Sequence, residues 1–343
     1  MAISDKFKEL ALANGRYVSC KIELGDTVYY GDRILKFDFA DTVHPDWFTI
    51  GTACSNEFSF SVQHTFEPNV HDEVRPYISF DGEEWCPLGI FYIARRYFRG
   101  GYATFVCYDK MYDLDVEFTH SYPASGNVAA STVLRDVCEE AGLVFNGSCI
   151  NYGIQPPKNY VTLRQMIGYI AALNCACAKI DRYGELVFKS YSEMPSALLS
   201  ANNCFSISRN ITRAGISGLR VSTGSGTLRY KEDNMGLSMI DLYNPFMRQD
   251  IVDTIGKQLD PLYFYGADIE MQGLPFLEAG EFIMLEETDG TLTPIVMSEI
   301  QYHYDGALTA KLYSRNKDNS DPVVHRQEFE DALAALWEYV RSK

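Results

Sequence analysis

Two stretches far apart in this chain follow one plan. Arg75–Asp109 reads RPYISFDGEEWCPLGIFYIARRYFRGGYATFVCYD, and Phe282–Ser314 reads FIMLEETDGTLTPIVMSEIQYHYDGALTAKLYS. Each runs strand, Asp-Gly turn (Asp81-Gly82; Asp289-Gly290), a proline (Pro87; Pro294), a long strand, a Gly-centred turn (Gly100-Gly101; Gly306) and a closing strand. Asp-Gly between apolar alternations is a strong hairpin signal, because the turn needs φ > 0 and glycine supplies it without steric cost. A chain that builds the same β-unit twice is held to a β-rich, internally repeated architecture, which suits a part of an assembly better than a catalyst.

The rest of the chain divides around that repeat. Ser4–Ala13 reads as a short helix capped by Ser4 and ended by Asn14-Gly15. Strands follow at Tyr17–Leu24, Thr27–Tyr30, Ile34–Ala40 and Glu57–His64; in the last, Phe58, Phe60 and Val62 share one face. The character changes near Asp113. Ser131–Ala141 and Leu163–Leu173, the latter capped by Thr162, carry apolar residues at helical spacing, and a hairpin Ala176–Asp181/Glu185–Tyr191 turns at Tyr183-Gly184. Strands return at Cys204–Ile211, Ile216–Thr223 and Leu262–Met271, with a helix opened by Asn244-Pro245 and reaching about Leu259. The predicted class is α+β and β-dominated: two similar barrel-like β domains (1–112 and 198–315) flank a small α/β domain (113–197), and 316–343 is a linker and C-terminal helix. In that helix Phe329, Leu333, Leu336 and Val340 start a heptad seam. It serves either helix–helix association about a symmetry axis or packing against the chain's own body.

Composition narrows the function. Tyr and Phe (23 and 20) far outnumber Trp (3), which favours strands. No apolar run approaches the roughly 20 residues that span a bilayer, so no membrane segment is expected. The charged, amphipathic opening MAISDKFKELALANG is unlike a signal peptide. Nine scattered cysteines (Cys20, Cys54, Cys86, Cys107, Cys138, Cys149, Cys175, Cys177, Cys204) are odd in number, as expected of mostly buried, reduced thiols in a protein made in a cytosol. Cys175-Ala176-Cys177 has neither the spacing nor the second pair of a zinc site, and in an extended strand the two side chains would share a face.

The net charge of −16 argues against simple nucleic-acid binding, which needs Lys and Arg for the phosphates. From Gln258 to Ala310 there is no Lys or Arg, while Asp260, Asp268, Glu270, Glu278, Glu281, Glu286, Glu287, Asp289, Glu299 and Asp305 all fall there. Solvated strand faces and turns account for such a zone; so does a surface that faces nucleic acid and must not adhere to it. No catalytic constellation is present: no His-Glu-x-x-His, no Gly-x-Ser-x-Gly, and six histidines without metal spacing. Thr223-Gly-Ser-Gly-Thr227 lacks the dinucleotide-binding pattern and a P-loop lysine. The expectation is no enzyme, no cofactor and no metal. A sugar-binding surface near Trp47 and Trp85 is a weaker reading, because strand aromatics are ordinarily core.

Several segments together resemble a known family. Trp85-Cys-Pro-Leu-Gly-Ile-Phe-Tyr-Ile93 looks like the corresponding strand of phage tail hub proteins. The segments 131–143 and 162–173, the latter followed by Gly184-Glu-Leu-Val-Phe188, resemble their small α/β domain, and 277–283 with its Asp-Gly hairpin is similar to their second barrel. The group includes baseplate hub proteins and the N-terminal hubs of tail-associated lysins. The resemblance implies a homotrimer with two barrel-like domains per chain that caps the tail tube at the virion tail tip or baseplate, after synthesis in a bacterial host cytoplasm. It implies contacts with tail-tube, distal-tail, fibre or spike proteins and possible contact with a tape-measure protein, with DNA passing through unbound. Three chains with two similar β-units each would offer six near-equivalent contacts to a six-fold tube. Glu278, Glu281, Glu286, Glu287 and Asp289 are then candidate channel-lining residues, repelling DNA phosphates. The alternative is a tail-associated peptidoglycan hydrolase or endopeptidase; because the chain ends soon after the second barrel, that activity is not expected.

Overall fold

The structure is a computed structural model that describes residues 3–316 except 14, 64–67, 124–125, 156–159, 192–194 and 232–237. The C-terminal helix expected at Val323–Arg341, with its seam Phe329, Leu333, Leu336 and Val340, lies outside the described residues.

The first β segment holds α1 (Asp5–Leu12), β1 (Ser19–Leu24), β2 (Thr27–Tyr30), β3 (Ile34–Thr42), β4 (Glu57–Gln63), β5 (Glu73–Ser79), β6 (Cys86–Pro87), β7 (Phe91–Arg99) and β8 (Tyr102–Tyr108). The middle holds β9 (Val128–Ala129), α2 (Ala130–Ala141), β10 (Gly153–Ile154), α3 (Leu163–Leu173), β11 (Ala176–Ile180) and β12 (Leu186–Ser190). The last part holds β13 (Ala197–Ser200), β14 (Cys204–Ser222), β15 (Thr227–Tyr230), β16 (Ser238–Tyr243), α4 (Gln249–Leu259), β17 (Tyr263–Gln272), β18 (Phe282–Glu286), β19 (Leu292–Val296), β20 (Glu299–Tyr304) and β21 (Leu308–Ser314). The β-dominated α+β class is as the sequence predicts.

Local chemistry explains most boundaries. The Ser4 hydroxyl accepts from the Phe7 N–H and starts α1. Thr162 and Gln165 form a reciprocal capping box on α3, and Gly142 ends α2 at φ 62°. The Asp-Gly turns place Gly82 and Gly290 at φ 76° and 82°. Three expectations shift. The two strands expected between Cys204 and Thr223 are one long strand, β14, broken only by register shifts. Helix α4 begins at Gln249, because Asn244 instead closes a turn by accepting from the Phe246 N–H. Cys175 stands at φ 52° before β11, so it does not share a strand face with Cys177.

The repeat is present as strand pairing. In both copies the proline lies on the short returning strand of a hairpin, with Pro87 opposite Tyr77 and Pro294 opposite Met284. In both, a second hairpin follows (β7–β8; β20–β21), and its closing strand pairs with a strand outside the repeat (β4; β17). The copies differ at the outer edge of the long strand. There β7 meets β5, whereas β20 pairs with β3 of the first segment. One continuous path results: β15-β14-β17-β21-β20-β3-β4-β8-β7-β5-β1-β2.

The first part of that path curls on itself. Phe39 on β3 meets the Phe91 ring on β7 at 5.6 Å, although β4 and β8 lie between them in the sheet. Across the β3–β20 seam, Phe37 stacks on Tyr304 and Phe39 on Tyr302, at 5.2 and 5.9 Å. The Tyr302 hydroxyl donates to the carbonyls of Leu274 and Leu277, so its burial leaves no unpaired polar group. Apolar side chains of both β segments fill one cluster, from Phe58 and Phe105 to Ile269, Ile283 and Leu312. A second cluster joins α2, α3 and β11 to Phe48 and to residues of β14, β16 and α4.

Candidate functional site

The sequence segments converge on a buried ionic junction. Asp41 ends the inward face of β3, Lys179 lies on β11, Arg182 follows in the β11–β12 turn, Lys189 lies on β12, and Glu278 sits in the loop before β18. Lys179 and Asp41 are 2% and 3% exposed. The ammonium donates to both Asp41 oxygens at 2.5 and 2.6 Å, and Asp41 Oδ2 also accepts from the Ala279 N–H. Arg182 Nε donates to Glu278 at 2.5 Å, Lys189 donates to its other oxygen at 2.8 Å, and the remaining Arg182 nitrogens reach Cys86 Sγ and the carbonyls of Pro275 and Phe276. Burial alone would raise the Glu278 carboxyl, but Lys179, Arg182 and Lys189 outweigh it and hold the group well below the usual carboxylate range. The α/β hairpin is therefore fastened to both β segments by paired charges, of which Lys179, Asp41 and Arg182 are buried and Lys189 and Glu278 partly so.

That junction redraws the acidic zone. Asp260, Glu270, Glu278, Glu287 and Glu299 form ion pairs with Lys231, Lys311, Arg182 and Lys189, Arg209 and Arg315, and Asp305 lies 3.6 Å from His303. Nearly all these cations come from outside the lysine-free stretch. The five candidate residues do not form one wall. Glu278 and Glu281 adjoin the α/β hairpin, and burial raises the Glu281 carboxyl. Glu286 is the last residue of β18, a five-residue strand, and Glu287 and Asp289 follow it, so roughly 15 Å separates the two groups. Glu287 also accepts from the Thr293 hydroxyl, and Asp289 accepts from the Thr291 N–H. The cations of the junction escaped the sequence reading. Their signal is Lys179, a charged residue inside the otherwise apolar strand ACAKI.

One Cys–His pairing exists in space. Cys177 Sγ lies 3.9 Å from His44 Nδ1 and 3.5 Å from the Tyr191 hydroxyl, which is bonded to His44 Nε2. His44 and Cys177 are 0% exposed and Tyr191 6%. Burial pushes His44 down to about 3 and the Cys177 thiol up, so both are neutral. A nucleophile needs a thiolate that substrate can reach, and this cluster supplies neither. All nine cysteines are free thiols. Among the described residues no group of three His, Cys, Asp or Glu side chains is placed to hold a metal ion.

An open cleft of about 730 Å³ lies beside the junction, between α1, the β5–β6 hairpin and the β11–β12 turn. Tyr77, Trp85 and Tyr183 line it together with Arg75, Asp81 and Glu84. The Lys21 ammonium stands over both the Tyr77 and Trp85 rings, at 4.3 and 5.2 Å. Glu84 is held by the Ser4 N–H and hydroxyl, and Lys6 pairs with Asp81. Trp47 is half-buried in a different part of the chain. The walls offer stacking and hydrogen bonding but no acid–base pair aimed at a common point.

No protein-family model and no curated protein matches this chain. Solved structures do. The fold is shared with a tail protein from Neisseria meningitidis MC58 at TM-score 0.59 and 12% identity, over 87% of this chain and 97% of that one. It is shared equally with the 43 kDa tail protein of prophage MuSo2 from Shewanella oneidensis, at TM-score 0.59 and 14% identity, over 88% of this chain and all of that one.

Proposed function

We propose that this chain is a structural component of the tail of a phage or phage-like particle: a baseplate hub or tail-tip protein whose three copies form a ring that caps the tail tube. The observation that carries the reading is the fold shared, over nearly the whole of both chains, with two phage tail proteins. Duplicated strand pairing supports the symmetry argument, since three chains with two similar β-units present six related edges to a six-fold tube. In this reading 1–112 and 198–315 are the hub's two β portions and 113–197 the insert they grip. The contacts of the ring are tail-tube, distal-tail, tape-measure and fibre or spike proteins. The role is structural rather than catalytic, since neither the neutral Cys177–His44 cluster nor the cleft offers activated chemistry. Among the described residues no helix is long and apolar enough to cross a membrane.

The channel lining belongs to the same proposal, and it falls on the members of the acidic set that are in no ion pair among the described residues, Glu286 and Asp289 first. Mass measurement of the purified chain with negative-stain imaging tests the ring; three-fold particles are expected, and a monomer at every concentration would refute it. Zymography on peptidoglycan tests the alternative of a tail-associated hydrolase: lysis by the purified chain would overturn the non-catalytic role.

A further inference from the structure

The tip of the β7–β8 hairpin is unlike the rest of this acidic chain. Between Glu84 and Asp109 there is no Asp or Glu, while Arg95, Arg96 and Arg99 are present. The residues from Arg95 to Tyr102 are exposed, with Tyr97, Phe98 and Tyr102 at 56%, 41% and 46%. Another stretch, from Pro195 to Lys231, is also free of carboxylates and rich in cations, but it spends three of them on ion pairs, Arg209 on Glu287, Arg220 on Asp241 and Lys231 on Asp260, and sets Arg213 over the Tyr263 ring. The hairpin arginines do not. Among the described residues none of the three is in an ion pair; Arg95 bonds the Tyr108 hydroxyl and Arg96 the Pro68 carbonyl. On the outer edge of β7, Ile93 still bonds His71 and Asp72 through its carbonyl and N–H. β5 meets β7 only at Tyr92 and Phe91, so among the described residues no strand pairs with the outer edge of β7 beyond them. Exposed Arg, Tyr and Phe are the side chains that dominate protein interfaces.

We propose that this hairpin tip is the surface by which the chain binds a second copy of itself, gripping outward carboxylates of the neighbour. The charge balance points to that occupant. Two copies at −16 each repel, so self-association needs a cationic patch, and this one is not consumed internally. The exposed acid Asp268 on β17 is in no ion pair among the described residues and so remains available in the neighbour. Two arginine tips cannot face each other across a two-fold axis without repulsion. A tip that meets carboxylates elsewhere on its neighbour can instead make a head-to-tail contact, the kind that closes into a ring when its rotation allows. Closure at three copies rests on the hub reading above. A nucleic-acid partner is disfavoured by the long-range field of the rest of the chain.

The test uses the full chain. Sedimentation velocity at low and high salt compares wild type with Arg95→Glu/Arg99→Glu and with Tyr97→Ser/Phe98→Ser, each checked for an unchanged melt; Arg99→Glu alone serves if a double variant misfolds. The variants should self-associate roughly tenfold more weakly than wild type, or worse, at each salt concentration. Variants that still assemble like wild type sink the hairpin contact and leave the ring standing; a wild type that never associates sinks both. A 20-base-pair DNA duplex is the control in a band-shift assay. Retarded DNA whose binding the Arg variant loses, with self-association unchanged, would overturn the proposal in favour of a nucleic-acid surface.

Discussion

Replacing Lys179 by Met tests whether the buried junction holds the three segments together. The new side chain has similar length and no charge. It strands Asp41, 3% exposed, with the Ala279 N–H at 2.9 Å as the remaining donor to its side chain among the described residues, in place of an ammonium bonded to both oxygens. Removing one partner of a buried ion pair costs about 3–5 kcal/mol, because the other charge is left desolvated and unmatched. Asp41→Asn should cost less, since Lys179 still feels the Glu278 carboxylate. The double variant should recover much of the loss, as an apolar and an amide side chain replace two charges, giving a coupling of about 2 kcal/mol. The assay is urea unfolding followed by tryptophan fluorescence for the four members of the cycle. Losses that simply add, with a coupling below about 0.5 kcal/mol, would refute the claim that the pair is a mutually dependent unit.

Other outcomes follow from the same coordinates. A Cβ on Gly89 would stand 2.6 Å from two ring carbons of the buried Phe91, so Gly89→Ala should cost about 1–3 kcal/mol and Gly89→Val more; an unchanged melting temperature for the Val variant refutes this. His44 is held near 3 in the folded chain, so the unfolded chain takes up its proton first. The stability this group contributes is complete above about pH 6.5 and is lost toward pH 3, by about 1.4 kcal/mol per unit. His44→Phe should flatten that slope. Asp109, raised by burial to about 7, works in the opposite sense between about 4 and 7, so the difference between variant and wild type isolates the histidine. Brief alkylation of the native chain should leave Cys107 and Cys177 unmodified until denaturant is added; native labelling of Cys177 would reopen the case for a nucleophile.

Much of the fold was legible because its signals are local. The Asp-Gly turns, the alternation Phe58-Phe60-Val62 and the Thr162 cap each depend on a few neighbouring residues, and each stands where the sequence puts it. Gly89 lies between β6 and β7, where the Phe91 ring two residues on leaves no room for a Cβ. The acidic zone was the least legible. Its lack of Lys and Arg is a fact about chain neighbours, whereas Coulomb attraction acts through space, and Arg182, Lys189 and Arg209 arrive from as much as 96 residues away.

From its residues alone the chain was committed to a repeated hairpin plan, a helical insert and a strongly acidic balance, since turn chemistry, periodicity and net charge belong to short stretches or to simple sums. Folding decided which edges meet. The register of β20 against β3 joins the two β segments into one sheet, and the same packing places Lys179 against Asp41 and leaves the arginines of the β7–β8 tip facing outward. Such pairings depend on distances between remote parts of the chain, a quantity that no local pattern of residues contains.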